Sequence, residues 1–344
     1  MPGIIERFRP YLDLPLGVDP ITLSEGNTPL ISMPRLASDL GAAELHIKFE
    51  GSTPTGSFKD RGMTTAITEA VSRGASAVIC ASTGNTAASA AAYAARAGLR
   101  CVVLLPHGGV ASGKLAAAYT HGAEVVEVEG SFDQALGLAR RLSERAPIGL
   151  VNSLNPYRLE GQKTAAFEIT EALGGAPDWL ALPVGNAGNI SAYWMGYRQL
   201  ADLEGGDLPH FLGVQARGSA PLVEGHVIEH PETVASAIRI GNPARGEQAL
   251  TAAEESGGRI IAVPDRAILE AQRDLAHEGL WVEPASAAGL AGLRSEVEAG
   301  RLNLSGQRVV CVCTGHGLKD PQVPAEPTTL IPPNLQALED LLKL

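Results

Sequence analysis

The stretch WLALPVGNAGNISAYWMGY, residues 179–197, indicates a strand, a glycine-containing loop and a helix in direct succession. The apolar run 179–184 has the length of a buried strand, and residues 190–197 continue as a helix. The loop between them, Gly185 to Asn189, stands where the helix begins, so free backbone N–H groups and the helix dipole favour an anion there. A tight turn between strand and helix is the alternative interpretation of the same residues.

A second loop, PTGSFKDRG at residues 54–62, contains the lysine that stands out among the six in the chain. Lys59 follows small and turn-forming residues and opens a predicted helix, so a flat ligand can approach its amine. Such an amine can form a Schiff base with an aldehyde, which is how proteins hold pyridoxal phosphate. Considered alone, the loop is more typical of a solvated lysine at a helix start.

Two further loops follow predicted strands. STGNT, residues 82–86, lies between the apolar run 77–81 and an alanine-rich helix, and its hydroxyls and backbone donors suit a carboxylate. TGHG, residues 314–317, follows the apolar run 309–313 and begins with the hydroxyl of Thr314. Because ligands of open α/β sheets bind at the carboxyl ends of strands, we expect these loops and Lys59 to form one site.

These loops, together with other stretches, make the chain similar to the threonine synthases, which belong to the fold type II (tryptophan-synthase-β-like) pyridoxal-phosphate enzymes. The resemblance covers essentially the whole chain, and residues 155–163 and 314–321 are its more specific parts. The chain departs from the family's pattern at residues 108–111 and 244–246. The matching stretches are EGNTPL (25–30), the lysine loop, residues 81–86, NSLNPYRLEGQK (152–163), residues 183–189, AIRIGNP (237–243), VEPASA (282–287) and TGHGLKDP (314–321).

The resemblance implies an α/β fold of two open, twisted parallel-sheet domains with helices on both faces and pyridoxal 5′-phosphate in the cleft between them. It implies a larger domain made of residues 1–52 and 151–344. A smaller inserted domain, residues 53–150, would carry Lys59 and the loop from Ser82 to Asn85. The alternation of strand and helix signals independently favours parallel sheets covered by helices.

The resemblance also implies a role for each residue of the site. Lys59 would hold the cofactor and act as the base at the substrate's Cα, while Asn85 would meet the ring hydroxyl and Thr314 the ring nitrogen. The loop that would bind the cofactor phosphate comprises Gly185, Asn186, Ala187, Gly188 and Asn189. The residues that would bind the substrate are Ser82, Thr83 and Thr86 at its carboxylate, and Asn152, Ser153 and Arg158 at its own phosphate.

The reaction expected from the resemblance converts O-phospho-L-homoserine and water to L-threonine and inorganic phosphate, the last step of threonine biosynthesis. Alternatives of the same fold are a serine or threonine dehydratase and a β-replacement synthase, neither of which has a use for Arg158. An alternative of another class is a catalytically silent protein that binds the cofactor or a metabolite. The intact Lys59, Asn85 and Thr314 argue against this last alternative.

Composition favours an ordinary enzyme. The chain has 344 residues, of which 45% are hydrophobic, and its net charge of −11 argues against a nucleic-acid partner. Its four cysteines lie within or beside apolar runs without a zinc-binding spacing, which is typical of core thiols in a reducing compartment. No secretory or membrane-spanning pattern is visible. We therefore expect a cytoplasmic protein without a metal or a membrane partner, and a homodimer by the resemblance.

Two nucleotide-binding motifs would compete with this interpretation, and the chain matches neither in full. GGVASGK, residues 108–114, fits the first seven positions of a P-loop, but Leu115 stands where a magnesium-binding Ser or Thr is required. Pro106 and His107 also separate it from the preceding apolar run. No G-x-G-x-x-G motif follows an early strand, so neither ATP nor a nicotinamide cofactor is predicted.

Overall fold

The computed structural model describes residues 2–82, 84–108, 112–320 and 328–343. Its strands are β1 (Leu30–Ser32), β2 (Glu44–Phe49), β3 (Ala77–Ala81), β4 (Arg100–Pro106), β5 (Glu124–Val128), β6 (Ile148–Leu150), β7 (Trp179–Pro183), β8 (His210–Ala216), β9 (Arg259–Val263) and β10 (Arg308–Cys313). Its α-helices are α1 (Ile4–Phe8), α2 (Pro34–Leu40), α3 (Lys59–Ser72), α4 (Asn85–Ala97), α5 (Ser112–Thr120), α6 (Phe132–Ser143), α7 (Pro156–Leu173), α8 (Gly188–Glu204), α9 (Pro221–Glu224), α10 (Gly246–Glu255), α11 (Asp265–His277), α12 (Ala288–Glu298) and α13 (Leu335–Leu342).

The strands form two sheets. One has six strands in the order β1-β2-β10-β7-β8-β9, and the other has four in the order β5-β4-β3-β6. Every neighbouring pair is parallel except β1 and β2, which are antiparallel, with Leu30 opposite Lys48. The predicted class, α/β with open parallel sheets, is confirmed. The sequence does not predict β1, because three residues are too few to show a hydrophobic period.

Both sheets are covered on both faces. Successive side chains of a strand point to opposite faces, and alternate residues of β7 enter two different hydrophobic clusters. Trp179 and Ala181 pack with one cluster, and Leu180 and Leu182 pack with the other. The strand β3 is divided in the same way between two clusters of the four-stranded sheet. This burial on both faces explains why these strands are continuously apolar rather than alternating.

Each sheet is built from a different part of the chain, in the same order as the predicted domains. The strands of the four-stranded sheet all fall between residues 77 and 150, and those of the six-stranded sheet lie before and after this range. The boundaries implied by the resemblance, 1–52 with 151–344 and 53–150, stay a prediction. The four cysteines are free and buried within the sheets, as expected of core thiols.

The helix α7 begins earlier than its apolar pattern predicts. The pattern indicates a start at Leu159, but Asn155 caps the helix by accepting a hydrogen bond from the backbone N–H of Tyr157 at 2.9 Å. Pro156 then occupies the first helical position, where its missing N–H costs nothing. The extra turn places Arg158 inside the helix rather than in the loop before it. Residues 109–111 of the P-loop-like stretch lie outside the described residues, as do residues 321–327.

Candidate active site

One cavity at the carboxyl ends of the strands collects the predicted site residues. Its volume is about 190 Å³. A single water needs roughly 10–15 Å³, so the cavity has room for a small organic ligand. The predicted residue Thr83 lies outside the described residues. The predicted residues that line the cavity are Lys59, Ser82, Asn85, Thr86, Asn152, Ser153, Arg158, Gly185, Asn186, Ala187, Gly188, Asn189 and Thr314.

Lys59 is the first residue of α3 and is half-buried at the wall of the cavity. Its Nζ lies 3.6 Å from the ring centroid of Phe58 and forms no hydrogen bond or ion pair with any residue that the structure describes. Burial lowers the pKa of Lys59 to about 7, with a further contribution from the charge of Arg158. The amine is therefore largely neutral near physiological pH, which is the form that attacks an aldehyde.

Three of the other lysines are engaged elsewhere. Lys48 and Lys163 are each paired with a glutamate carboxylate, at 2.7 and 2.5 Å, and Lys319 donates to a main-chain carbonyl at 3.0 Å. Lys343, near the end of the chain, is exposed. The geometry therefore favours Lys59 as the amine that carries the cofactor, as the sequence predicts.

The pKa of Lys59 predicts a distinctive reactivity in the cofactor-free protein. The rate of reductive methylation by formaldehyde at Lys59 should rise with pH until about 7 and then level off, because the neutral amine is the nucleophile. An ordinary lysine amine titrates near 10.4, so at pH 7 Lys59 should react roughly 10³-fold faster. Peptide mass mapping between pH 5 and 9 measures both rates, with exposed Lys343 as the control. Parallel pH profiles for the two lysines would contradict the prediction.

The glycine loop forms an anion cradle at the start of α8. Ala187 precedes the helix in the left-handed conformation, with φ of 64°. The first N–H groups of any α-helix have no partner within it, and here they open toward the cavity. Gly185 is required by packing, because a Cβ there would lie 2.9 Å from Cα of Ile238. Backbone donors, the helix dipole and the small residues together suit a phosphate group.

Asn85, the first residue of α4, is oriented by a carboxylate that the sequence interpretation did not assign to the site. Its Nδ2 donates to both carboxylate oxygens of Glu283, at 3.0 and 3.1 Å. Glu283 lines the cavity and is almost completely buried, and burial raises its pKa. It lies in the VEPASA stretch, where an acidic residue after an apolar segment and before a helix was the available signal.

Thr314 follows β10 and is buried at the wall of the cavity. Its hydroxyl lies 3.0 Å from the hydroxyl of Ser286, which also accepts a hydrogen bond from the backbone N–H of Gly315 at 2.8 Å. The single proton of the Ser286 hydroxyl can go to Thr314 or to the carbonyl of Gly315 at 3.2 Å. When Ser286 donates to Thr314, the Thr314 hydroxyl keeps its own proton for a ligand atom. A neutral donor of this kind suits an unprotonated ring nitrogen.

The loop residues predicted to bind substrate differ in how many of their side-chain donors and acceptors are available to a ligand. Both polar atoms of the Asn152 side chain are used by the backbone of Ala81, at 2.9 and 2.8 Å, which ties the ends of two neighbouring strands together. The hydroxyl of Ser153 accepts from the side chain of Asn186 at 2.9 Å and keeps its own proton. Ser153 thus retains a donor for a ligand, and the amide of Asn152, which ties the two strand ends together, has its second N–H left for one.

Arg158 is buried in the first turn of α7 without a carboxylate partner among the described residues. Its Nη1 donates to the carbonyl of Val151 at 3.2 Å, and its Nε has no partner. Glu160, the nearest acid in sequence, is occupied by Lys163. Burial lowers the pKa of Arg158 to about 10. An unpaired buried charge is costly, so this guanidinium is arranged to receive an anion from the cavity.

Further cavity residues were not assigned to the site from the sequence: Gln162, although it lies within the NSLNPYRLEGQK stretch, and Phe132 and Ser236, whose segments carry no chemical motif. Gln162 is buried one turn beyond Arg158, and its Oε1 has no partner among the described residues. Two more residues line the cavity. Phe132 is the first residue of α6, and Ser236 is the first residue of a short 3-10 helix, Ser236–Ile238. Proximity of these residues to the cavity follows from packing between segments, which local patterns do not encode.

The chain belongs to the pyridoxal-phosphate dependent enzyme family, whose model matches residues 21–315. Its relatives include a threonine synthase of Synechocystis sp. PCC 6803, 58% identical over 93% of this chain and 84% of the relative. A threonine synthase of Mycobacterium tuberculosis H37Rv is 55% identical over 93% of this chain and 89% of the relative. The structure of maize serine racemase matches with a TM-score of 0.74 at 21% identity over 91% of both chains, which supports the fold.

The predicted family, fold type and cofactor are thereby confirmed. The cavity fits pyridoxal phosphate on its own evidence, because it joins an unengaged lysine amine, a backbone phosphate cradle and a neutral hydroxyl donor at Thr314. No described helix has the length and apolarity needed to cross a membrane. Within the described ranges, no group of three or more metal-binding side chains comes together.

Proposed function

We propose that this protein is a pyridoxal-phosphate-dependent threonine synthase, which converts O-phospho-L-homoserine and water to L-threonine and inorganic phosphate. The observation that carries the proposal is a second place for an anion in the cavity. The glycine loop offers one such place, and the unpaired guanidinium of Arg158 offers another. The phosphate of the cofactor and the phosphate of the substrate each need one of these two places. Relatives at 52–58% identity carry the name threonine synthase, which supports the proposal.

The roles of the chain's residues follow from where they lie. When bound, pyridoxal phosphate supplies an electron sink for negative charge at the substrate's Cα. Lys59 would hold the cofactor, and its free amine would take the proton from Cα, for which a pKa near 7 suits transfer in both directions. The backbone N–H groups of the glycine loop hold the cofactor phosphate, and Ser82 and Thr86 hold the substrate's carboxylate.

The reaction then requires several proton transfers in one place. Lys59 also takes a proton from Cβ, the Cγ–O bond breaks, and phosphate leaves with the bonding electrons toward Arg158. The two protons taken from Cα and Cβ return to Cγ and Cα, water adds its hydroxyl to Cβ, and the remaining proton of that water goes to the released phosphate, so that the amine ends neutral. The side chains of Lys59 and Arg158 line the same cavity, which allows proton transfer and phosphate departure to be coordinated.

Thr314 provides a prediction about the ring nitrogen. The substitution Thr314→Asp should retain the cofactor but lower threonine formation at least about tenfold, equal to about 1.4 kcal/mol in the barrier. A carboxylate would keep the ring nitrogen protonated, whereas the hydroxyl, held by Ser286, does not. Visible absorbance and turnover measure the two effects, and Thr314→Ser is the control that keeps a hydroxyl. Wild-type turnover of Thr314→Asp would show that Thr314 does not meet the ring.

Turnover assays separate the proposed function from its alternatives. Purified protein is incubated with O-phospho-L-homoserine, L-serine and L-threonine, and inorganic phosphate, threonine and 2-keto acids are quantified. A threonine synthase forms threonine and phosphate in equal amounts from the phosphorylated substrate. A dehydratase instead forms a keto acid from serine or threonine. Cofactor absorbance without any product would indicate the silent alternative, and a β-replacement synthase would consume serine only with an added nucleophile.

The proposal extends to assembly and location. We expect a homodimer in the cytoplasm, as the resemblance implies for enzymes of this class. Light scattering of the eluted peak in size-exclusion chromatography measures the mass against the 35.7 kDa chain. A peak at the mass of one chain at micromolar concentration would contradict the dimer.

A further inference from the structure

Arg245 joins two parts of the site without lining the cavity. It stands just before α10, half-buried, and its guanidinium reaches the turn that follows β6. There Nε donates to the carbonyl of Ser153 at 2.8 Å and Nη2 donates to the carbonyl of Leu154 at 3.1 Å. Nη1 donates to the side chain of Gln248 at 3.0 Å, which fixes the orientation of the fork.

A second set of contacts ties the same turn to the glycine loop. Asn186 donates from its Nδ2 to the hydroxyl of Ser153 at 2.9 Å. Its Oδ1 accepts from the backbone N–H of Ala244, the neighbour of Arg245, at 2.8 Å. The stem of Arg245 also passes Gly188, where a Cβ would lie 3.9 Å from Cδ of the arginine. The turn after β6, the glycine loop and the segment before α10 are thus linked in a closed ring of contacts.

This ring spans the two sheets. The strand β6 belongs to the four-stranded sheet, whereas β7, which precedes the glycine loop, belongs to the six-stranded sheet. The turn after β6 leads directly into α7, whose first turn carries Arg158. The position of the ring therefore sets the separation between the phosphate cradle of the glycine loop and the guanidinium of Arg158.

The charge of Arg245 acts on the same region. No carboxylate forms an ion pair with Arg245 within the described ranges, and its proximity contributes to the lowered pKa of Arg158. The positive charge of Arg245 near Arg158 makes the surroundings of Arg158 more favourable for an anion.

We propose that Arg245 is a positioning residue that holds Arg158 at one fixed separation from the glycine loop, so that the enzyme selects substrates whose phosphate lies at the matching distance from the amino group. This inference rests on the proposed function. In this proposal Arg245 acts mainly through the geometry of its guanidinium, which donates to two adjacent carbonyls, and less through its charge. A lysine would keep the charge but could not bridge both carbonyls.

Substitution of Arg245 in the holoenzyme tests the proposal. Arg245→Gln and Arg245→Lys should each raise KM for O-phospho-L-homoserine about tenfold and change kcat less than about threefold, because the lost binding is shared by ground and transition states. The affinity for inorganic phosphate, measured by calorimetry on the holoenzyme, should fall by a similar factor. Cofactor absorbance should not change. The matched control is Arg266→Gln, at an exposed arginine that forms an ion pair with Glu270 on the same helix.

Several outcomes overturn the positioning role. Wild-type KM and phosphate affinity in Arg245→Lys would show that charge alone suffices, and unchanged values in both variants would show that Arg245 has no role in anion binding. A loss of kcat and melting temperature with unchanged phosphate affinity would assign it to the fold. Absence of phosphate binding by the wild-type holoenzyme would overturn it as well. If wild-type enzyme binds phosphate but makes no threonine, the proposed function fails while the calorimetry still decides the role of Arg245.

Discussion

Replacement of Lys59 by alanine is expected to abolish threonine formation, with a loss of at least about 10⁴-fold. The amine is assigned both covalent attachment of the cofactor and proton transfer at the substrate, and proton transfer alone contributes up to about 10⁴-fold. No other described lysine lines the cavity. Borohydride reduction of the wild-type holoenzyme followed by peptide mass mapping should place the pyridoxyl group on the peptide that contains Lys59.

Two controls make this result specific. Lys59→Arg keeps a positive charge but cannot form a Schiff base, so it should be as inactive as Lys59→Ala. Lys343→Ala, at an exposed site, should behave as wild type. Both Lys59 variants should keep the wild-type circular dichroism spectrum, because the amine forms no hydrogen bond or ion pair with any described residue. A pyridoxyl label on another lysine would overturn the assignment.

Arg158→Ala is expected to lower kcat/KM for O-phospho-L-homoserine by about 10²-fold. A charge-assisted, water-excluded contact to phosphate is worth roughly 2–4 kcal/mol, and each 1.4 kcal/mol is about one decade in rate. Arg158 lies at a helix start, where the dipole adds to its charge on a dianion. Phosphate release and threonine formation measure the effect, and Arg158→Lys should recover part of it because it supplies charge without the fork.

A structural role for Arg158 would give a different result. It would lower turnover of phosphorylated and non-phosphorylated amino acids equally, or leave a protein that no longer folds or holds cofactor. The contacts argue against such a role, because a single hydrogen bond to Val151 is the only one its guanidinium forms with the described residues, and Glu160 is paired elsewhere. Cofactor absorbance should therefore be unchanged in Arg158→Ala while phosphate-dependent turnover falls.

The local chemistry of the site could be predicted from the sequence because it depends on neighbours in the chain. A buried strand, small residues and a helix start follow one another at residues 179–197, and this order alone produces free N–H groups and a favourable dipole. Lys59 and the start of α4 at Asn85 were identified for the same reason. Parallel strands place their carboxyl ends at one edge of a sheet, which predicts that such loops meet.

The partners of these residues were decided only by the tertiary structure. Glu283 reaches Asn85 across 198 positions, and Arg245 reaches Ser153 across 92. No local pattern encodes such pairs, because they depend on how the segments pack. The amide of Asn152 is the clearest case. Its sequence position suits a phosphate ligand, and the tertiary structure adds a second task, because its Oδ1 and one N–H of its Nδ2 bond the backbone of Ala81 once the ends of β3 and β6 are adjacent.

The sequence by itself thus determined which groups could do chemistry: the Lys59 amine, the phosphate cradle of the glycine loop, the Thr314 hydroxyl and the guanidinium of Arg158. Only the tertiary structure decided which of them are unengaged and therefore available to a ligand. Availability depends on burial and on competition from neighbouring donors and acceptors. The spacing along α7 already pairs Glu160 with Lys163, three residues on, and not with Arg158. Only the packing decided that no carboxylate from another described segment reaches the guanidinium of Arg158 and that its Nε has no partner.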